Sequence, residues 1–293
     1  MQPTLIADYE CICGEGPLWH PTEKKLYWQD IGTGRLFRYD PATGAHEQCH
    51  QCEPGDTIGG FTVQADGALL LFMARGAVRT WRDGVVTTVI PEIADELDTR
   101  FNDVIADPQG RVYCGTMAAG ERLGRLYRLD PDGTLTKLLD GIGCSNGMGF
   151  TPDRTGMYYT DSPKRDIYLF DYDEATGALT NQRVFVHSAE DDGVPDGMTV
   201  DAEGYVWSAH WDGGCAIRYA PDGTEVSRVQ FPARKVSSVT FAPGPDSAGA
   251  YTDLYATTAG GNRKDTDGEG AGGLFRINVG IPGVPEFPSR IGL

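Results

Sequence analysis

No run of this 293-residue sequence approaches the roughly 18 consecutive apolar residues that a membrane-spanning helix needs. Residues 1–10 also lack the basic and apolar regions of a secretion signal, so a cytoplasmic location is expected. Basic residues are scarce: 25 Lys and Arg stand against 42 Asp and Glu, a net charge of −17. Such a chain repels a phosphate backbone or an anionic bilayer, which excludes nucleic acid and membrane as partners. Cysteines number seven, an odd count scattered along the chain, and fit reduced thiols better than a disulfide framework. The glycine-rich stretches Gly260-Gly261 and Gly268–Gly273 lack the Lys-Ser/Thr of a phosphate-binding loop and read as flexible loop. No convincing amphipathic helix is present.

What is there is a repeat. Glycine (39) and proline (18) are spread without collagen-like periodicity, while 40% of residues are hydrophobic, enough to fill a core. Fragments beginning at Gly14, Gly59, Phe101, Ser145, Pro195 and Val236 share one outline: a short β-type run, a Pro/Asp/Gly turn, a β-branched and aromatic run, then another Asp/Gly turn. The first turn appears as His20-Pro21-Thr22-Glu23, Ala65-Asp66-Gly67, Asp107-Pro108-Gln109-Gly110, Thr151-Pro152-Asp153, Asp201-Ala202-Glu203-Gly204 and Ala242-Pro243-Gly244. Six units of about four strands predict an all-β, six-bladed β-propeller over residues 1–293 as a single domain. An N-terminal strand, about Leu5 to Cys13, is left over to complete the last blade.

The phase of the repeat predicts what meets on the propeller axis. Counting six residues back from Pro21, Pro152 and Pro243 gives Glu15, Asn146 and Ser237. Five back from Ala65, Asp107 and Asp201 gives Gly60, Asn102 and Asp196. Five of these six positions carry a side-chain oxygen and none is His or Cys. That is a hard, net negative set suited to Ca²⁺ or a similar divalent ion and unlike a structural zinc site. Polar residues at strand starts can also simply cap turns. As a set that account is weaker, because burying two carboxylates on one axis without a counter-charge costs on the order of several kcal/mol.

With Gly14-Glu15-Gly16-Pro17-Leu18-Trp19, Arg100-Phe101-Asn102-Asp103, Gly115-Thr116-Met117, Ser145-Asn146-Gly147 and Pro195-Asp196-Gly197-Met198, the sequence resembles the regucalcin/gluconolactonase family of sugar lactonases over almost its whole length. The resemblance implies a six-bladed propeller in which Glu15, Asn146 and Asp196 bind one divalent metal ion. Ca²⁺ is the first candidate, with Zn²⁺, Mn²⁺, Mg²⁺ and Fe²⁺ as alternatives. It also implies that Arg100 and Asn102 contact the sugar. A further family contact, a Glu shortly after Gly-Thr-Met, falls by count on Gly120, and Glu121 is the adjacent carboxylate. The implied activity is hydrolysis of an aldonolactone to the aldonic acid, with Asp196 as general base or as ligand alone. The same metal set would also serve an esterase acting on an organophosphate or a non-sugar lactone, or a non-enzymatic calcium-binding regulatory propeller. The expected partner is a small sugar lactone, and the expected state a monomer or small homo-oligomer.

Several signals are read as structural. The acidic runs Asp95–Asp98, Glu190–Asp192 and Asp265–Glu269 read as solvated loops. His46, Cys49, His50 and Cys52 fall in what the repeat assigns to a linker after the first blade, a surface location rather than a zinc site. Asp30 and Asp161 recur after Trp28-Gln29 and Tyr159-Thr160, which favours a turn role. His210 is assigned to core packing or to the rim of the pocket, and Trp19, Trp28 and Trp207 to packing between blades.

Overall fold

The computed structural model describes residues 2–293. The chain forms six four-stranded antiparallel sheets, each a blade of a closed β-propeller. The innermost strands are Gly14–His20, Ile58–Val63, Phe101–Ala106, Ser145–Phe150, Val194–Val200 and Val236–Ala242, each hydrogen-bonded outward to the next strand in sequence. Ring closure follows the expectation. Thr4–Asp8 pairs antiparallel with Gly273–Asn278 and becomes the outer strand of the sixth blade, so the blade that ends the chain is sealed by the segment that begins it. Among the described residues no helix is long and apolar enough to cross a membrane.

Burial falls from the axis outward and explains the composition of each strand. Ile58–Val63 and Ser145–Phe150 are buried at every position and consist of small and apolar residues apart from Asn146. The outer strand Val85–Ile90 is exposed over its first four residues and alternates little. Between blades lie aromatic-rich clusters. Trp28 packs with Phe37, Tyr39, Tyr255 and Leu274 across the seam of the first and sixth blades, and Trp207 packs with Phe241, Leu254 and Phe275.

The turns that mark the repeat work locally as their residues dictate. Gly67, Gly110 and Gly204 have φ of +87°, +84° and +83°, a region that L side chains avoid. Asp107 and Asp201 fold back to accept bonds from the backbone N–H groups two and four residues on.

Three readings need correction. Residues His46–Gln51 are the outer strand of the first blade, not a linker. Cys49 donates to the Leu36 carbonyl and His46 meets the Tyr9 hydroxyl, ordinary edge-strand contacts. Two residues of the acidic runs are buried rather than solvated: Glu96 accepts from Arg125 and from the Tyr127 hydroxyl, and Asp267 is bonded to Lys235 at 2.7 Å. The glycine-rich segment near 260–273 is close-packed, since a Cβ on Gly261 would lie 2.3 Å from the Glu10 backbone. Charge and glycine content both imitate solvated loop when the pairing partners are far away in sequence.

Candidate functional site

Every innermost strand breaks register with its neighbour near its start, between Glu15 and Leu18, Ile58 and Gly60, Phe101 and Val104, Asn146 and Met148, Pro195 and Met198, and Val236 and Ser238. A bulge re-aims side chains that a regular pleat would send into the blade seams. Six bulges at one level of the ring turn this level toward the axis. The glycines that follow permit the close approach: a Cβ on Gly147 would lie 2.6 Å from the Asp196 carbonyl, and one on Gly197 2.1 Å from Ser238 Oγ. Below the ring, an axial cavity of about 70 Å³ is lined from every blade, by Gly16, Gly60, Asp103, Met148, Met198 and Ser238 among others, and by Glu286 of the C-terminal segment.

Carbonyls freed by the bulges are taken up by side chains of the preceding blade. Gln29 Nε2 donates to the Gly59 carbonyl (2.6 Å), Asn102 Nδ2 to Ser145 (2.7 Å), Ser162 Oγ to Pro195 (2.6 Å) and Ser237 Oγ to Gly14 (2.5 Å). The same network orients the axial amides. Asn146 Nδ2 donates to Ser162 Oγ at 2.7 Å, and Asn146 Oδ1 accepts from Asn102 Nδ2 at 2.8 Å, which leaves one lone pair of that oxygen for a ligand. Arg100 Nη1 donates to Asn102 Oδ1 at 2.6 Å and to the Phe101 carbonyl at 2.9 Å, so guanidinium and amide are held as one unit.

The carboxylates are treated differently. Glu15 and Asp196 are 4% and 5% exposed. Glu15 accepts only from the Gly16 N–H, at 3.0 Å, and among the described residues Asp196 has neither a hydrogen bond nor an ion pair. Desolvation pushes both carboxyls well above the usual range. Repulsion from Asp103 adds to this for Glu15, and from Glu15 and Asp103 for Asp196, while the Arg100 charge offsets part of it. Asp103 is itself pushed up to about 7 by burial. Three carboxyls facing one axis without an ion-paired base fit a divalent cation, whose charge would meet the deficit. Oxygen donors from Glu15, Asn146 and Asp196 suit a hard ion. Among the described residues no cluster of three or more His, Cys, Asp or Glu has metal-holding geometry, so a cation on this axis would need the Asn146 amide oxygen beside the carboxylates.

Most residues expected from the repeat phase meet here: Glu15, Asn102, Asn146 and Asp196, with Arg100 at the edge. Ser237 is a correction, because its hydroxyl is spent on the Gly14 carbonyl and on Thr257 rather than on the axis. Glu121 is exposed on the Ala119–Arg122 turn and is bonded to none of the axial residues. His210 is fully buried, bonded to the Asp192 carbonyl, and lines no mouth. Asp30 and Asp161 hold the Cys13, Gly143 and Cys144 N–H groups, the turn role expected of them. Asp103 was missed. The count gives one residue per strand, and only the bulge puts a second one, next to Asn102, on the same side; the adjacent Asn-Asp pair was the available signal.

A family model described as the SMP-30/Gluconolactonase/LRE-like region matches residues 13–279. The chain is 51% identical to the pentonolactonase XacC of Haloferax volcanii, with 100% of both chains covered. It is 33% identical to the regucalcin of Gallus gallus over 94% of each. Among solved structures, the calcium-binding protein regucalcin from Agrobacterium tumefaciens superposes with a TM-score of 0.84 at 26% identity, covering 99% of this chain and 96% of that one.

Proposed function

From the chain's membership of the SMP-30/gluconolactonase/LRE-like family we propose that it is a lactonase, opening a small sugar lactone to the aldonic acid at the axial site. A pentonolactone is the first substrate to try, since the relative of that name matches this chain from end to end. The reading includes one divalent cation, Ca²⁺ foremost, bound by Glu15, Asn146 and Asp196. The observation that carries it is the pair of buried carboxyls on the axis, which no base among the described residues ion-pairs and whose deficit the Arg100 charge offsets only in part.

When bound, such an ion polarises a carbonyl and lowers the pKa of a bound water. The chain's own residues do the rest. Asp196, which has no hydrogen bond among the described residues, accepts a proton from the attacking water as its oxygen adds to the acyl carbon. The ring C–O bond breaks, and its oxygen leaves with a proton as the new hydroxyl. Arg100, locked to Asn102 at 2.6 Å, meets the charge that develops on the carbonyl oxygen, while the Asn102 amide, whose two hydrogens go to Ser145 and Asn146, offers its Oδ1 to a sugar hydroxyl. Their rigidity limits the entropy lost on binding.

The test is a panel of pentono- and hexonolactones, with a non-sugar lactone and a phosphotriester as controls. Each is assayed on EDTA-treated protein with Ca²⁺, Mn²⁺, Zn²⁺, Mg²⁺ or Fe²⁺ restored. Ring opening of a sugar lactone that disappears with EDTA and returns with a cation is the expected result. Calcium binding without turnover of any ester would overturn it in favour of a binding protein.

A further inference from the structure

Two residues before each of the six phase-matched positions, the chain carries a second level: Cys13, Ile58, Arg100, Cys144, Val194 and Lys235. Ile58 is fully buried, and Lys235 is tied to Asp267 at 2.7 Å and Asp212 at 3.0 Å. Three consecutive blades instead present partly accessible residues in a row: Arg100 from the third, Cys144 from the fourth and Val194 from the fifth. Residues two apart in a strand share a face, so Cys144 stands over Asn146. Ser145 between them is turned into the seam with the third blade, where a Cβ on Gly115 would lie 1.7 Å from its Oγ. The Cys144 sulfur lies 3.7 Å from Nδ2 of both Asn102 and Asn146. Its backbone is clamped from both sides. The N–H donates to Asp161 Oδ1 at 3.2 Å, the carbonyl accepts from the Ser162 N–H at 3.3 Å, and Met117 of the third blade bridges the same residue.

We propose that Cys144 is a specificity-determining residue: its side chain is the wall that limits the size of the lactone and favours five-carbon over six-carbon substrates. The inference deepens the lactonase reading and rests on it. A lactone whose carbonyl oxygen meets Arg100 of the third blade, and whose acyl carbon takes a water deprotonated by Asp196 of the fifth, lies across the fourth blade between them. What it meets there is the thiol, since the Asn146 amide beneath is only 4% exposed. A thiol behaves as a small hydrophobe with weak hydrogen-bonding power. It accepts the C–H edge of a small ring, and it gives the extra CHOH of a hexonolactone neither a hydrogen-bond partner nor room. The clamped backbone keeps the wall from yielding to the larger substrate.

The test is kcat/KM for a pentonolactone and a hexonolactone of the same ring size, measured on the full-length wild type, C144A, C144M and C49S with the cation that supports turnover. The wild type should favour the pentonolactone by at least about tenfold, the discrimination that one small group confers on a pocket. C144A should reduce that preference to within about threefold by raising the hexonolactone value, at a calcium affinity equal to the wild type's. C144M should lower both values, chiefly through KM. C49S, on the outer strand of the first blade, should match the wild type. A wild type indifferent to lactone size, or a C144A in which both values fall together, would overturn the proposal; a matching loss of calcium affinity in C144A would then assign the thiol to the support of Asn146. If the wild type opens neither lactone, the lactonase reading fails and takes the proposal with it, a result distinct from turnover with an unaltered preference.

Discussion

At Asp196 the chain spends stability on a charge it does not compensate. Its raised carboxyl pKa means that the metal-free fold is favoured while the group is protonated. That contribution is complete below the unfolded value, about 3.9, and is lost as pH rises through the raised folded value. Asn in its place has no proton to lose. D196N should therefore melt at or above the wild-type temperature in EDTA at neutral pH, while losing both turnover and the rise in Tm that Ca²⁺ confers on the wild type. Calorimetric scans with and without calcium check this. A wild-type calcium shift in D196N would remove the residue from the site. On the proposed reading the residue destabilises alone and stabilises once an ion arrives, unlike the paired Asp107 and Asp201, whose Arg partners lie within 2.8 Å.

On the scale of the element, the bulged strand start is the unit that builds the site. Four of the bulges aim a side chain at the axis, from Glu15, Asn102, Asn146 and Asp196, and four leave a carbonyl for the preceding blade, so aiming and blade cohesion are built at the same level. Ser162 illustrates the coupling: its hydroxyl donates to Pro195 and accepts from Asn146. Ser162→Ala strands a buried carbonyl and frees the Asn146 amide, with an expected loss of about 1–3 kcal/mol of stability. Because Asn146 then loses its orientation, calcium affinity should fall in the same variant. Denaturant unfolding and calcium titration read the two effects, and a loss of stability with unchanged affinity would show that Asn146 is held by Asn102 alone.

The whole molecule adds an axial passage that no single blade contains. The C-terminal segment crosses the end of the propeller remote from the ring, bonding to the second blade through the Ser289 carbonyl and to the fifth through that of Pro282. Glu286 on this strap is exposed as a residue and lines the mouth of the cavity, where the protein packed around its carboxyl desolvates it and raises it to about 7. Raised above its ordinary 4.5, this group favours the fold below that value, and the benefit is lost as pH climbs toward 7. Glu286→Gln should match the wild type in Tm below pH 4.5 and exceed it above pH 7. A difference between the two proteins that does not change across that interval would place Glu286 in bulk solvent.

How much of this was written in the sequence follows from what is periodic. Turn chemistry repeats at a fixed phase because every blade needs the same hairpins, and that phase alone predicted six blades, the closing N-terminal strand, and Glu15, Asn102, Asn146 and Asp196 on one axis. Contacts that obey no period were settled only by the tertiary structure. The Ser237 hydroxyl turned to the Gly14 carbonyl because the ring closes there. Asp103 joined the axial carboxyls because a bulge places consecutive residues on one side. Glu96 and Asp267 are buried because their bases arrive from other segments of the chain, and Glu286 reaches the axis only when the chain end folds across it. A repeat fixes the positions each blade supplies in common, whereas pairing between distant segments depends on where the closed ring brings them.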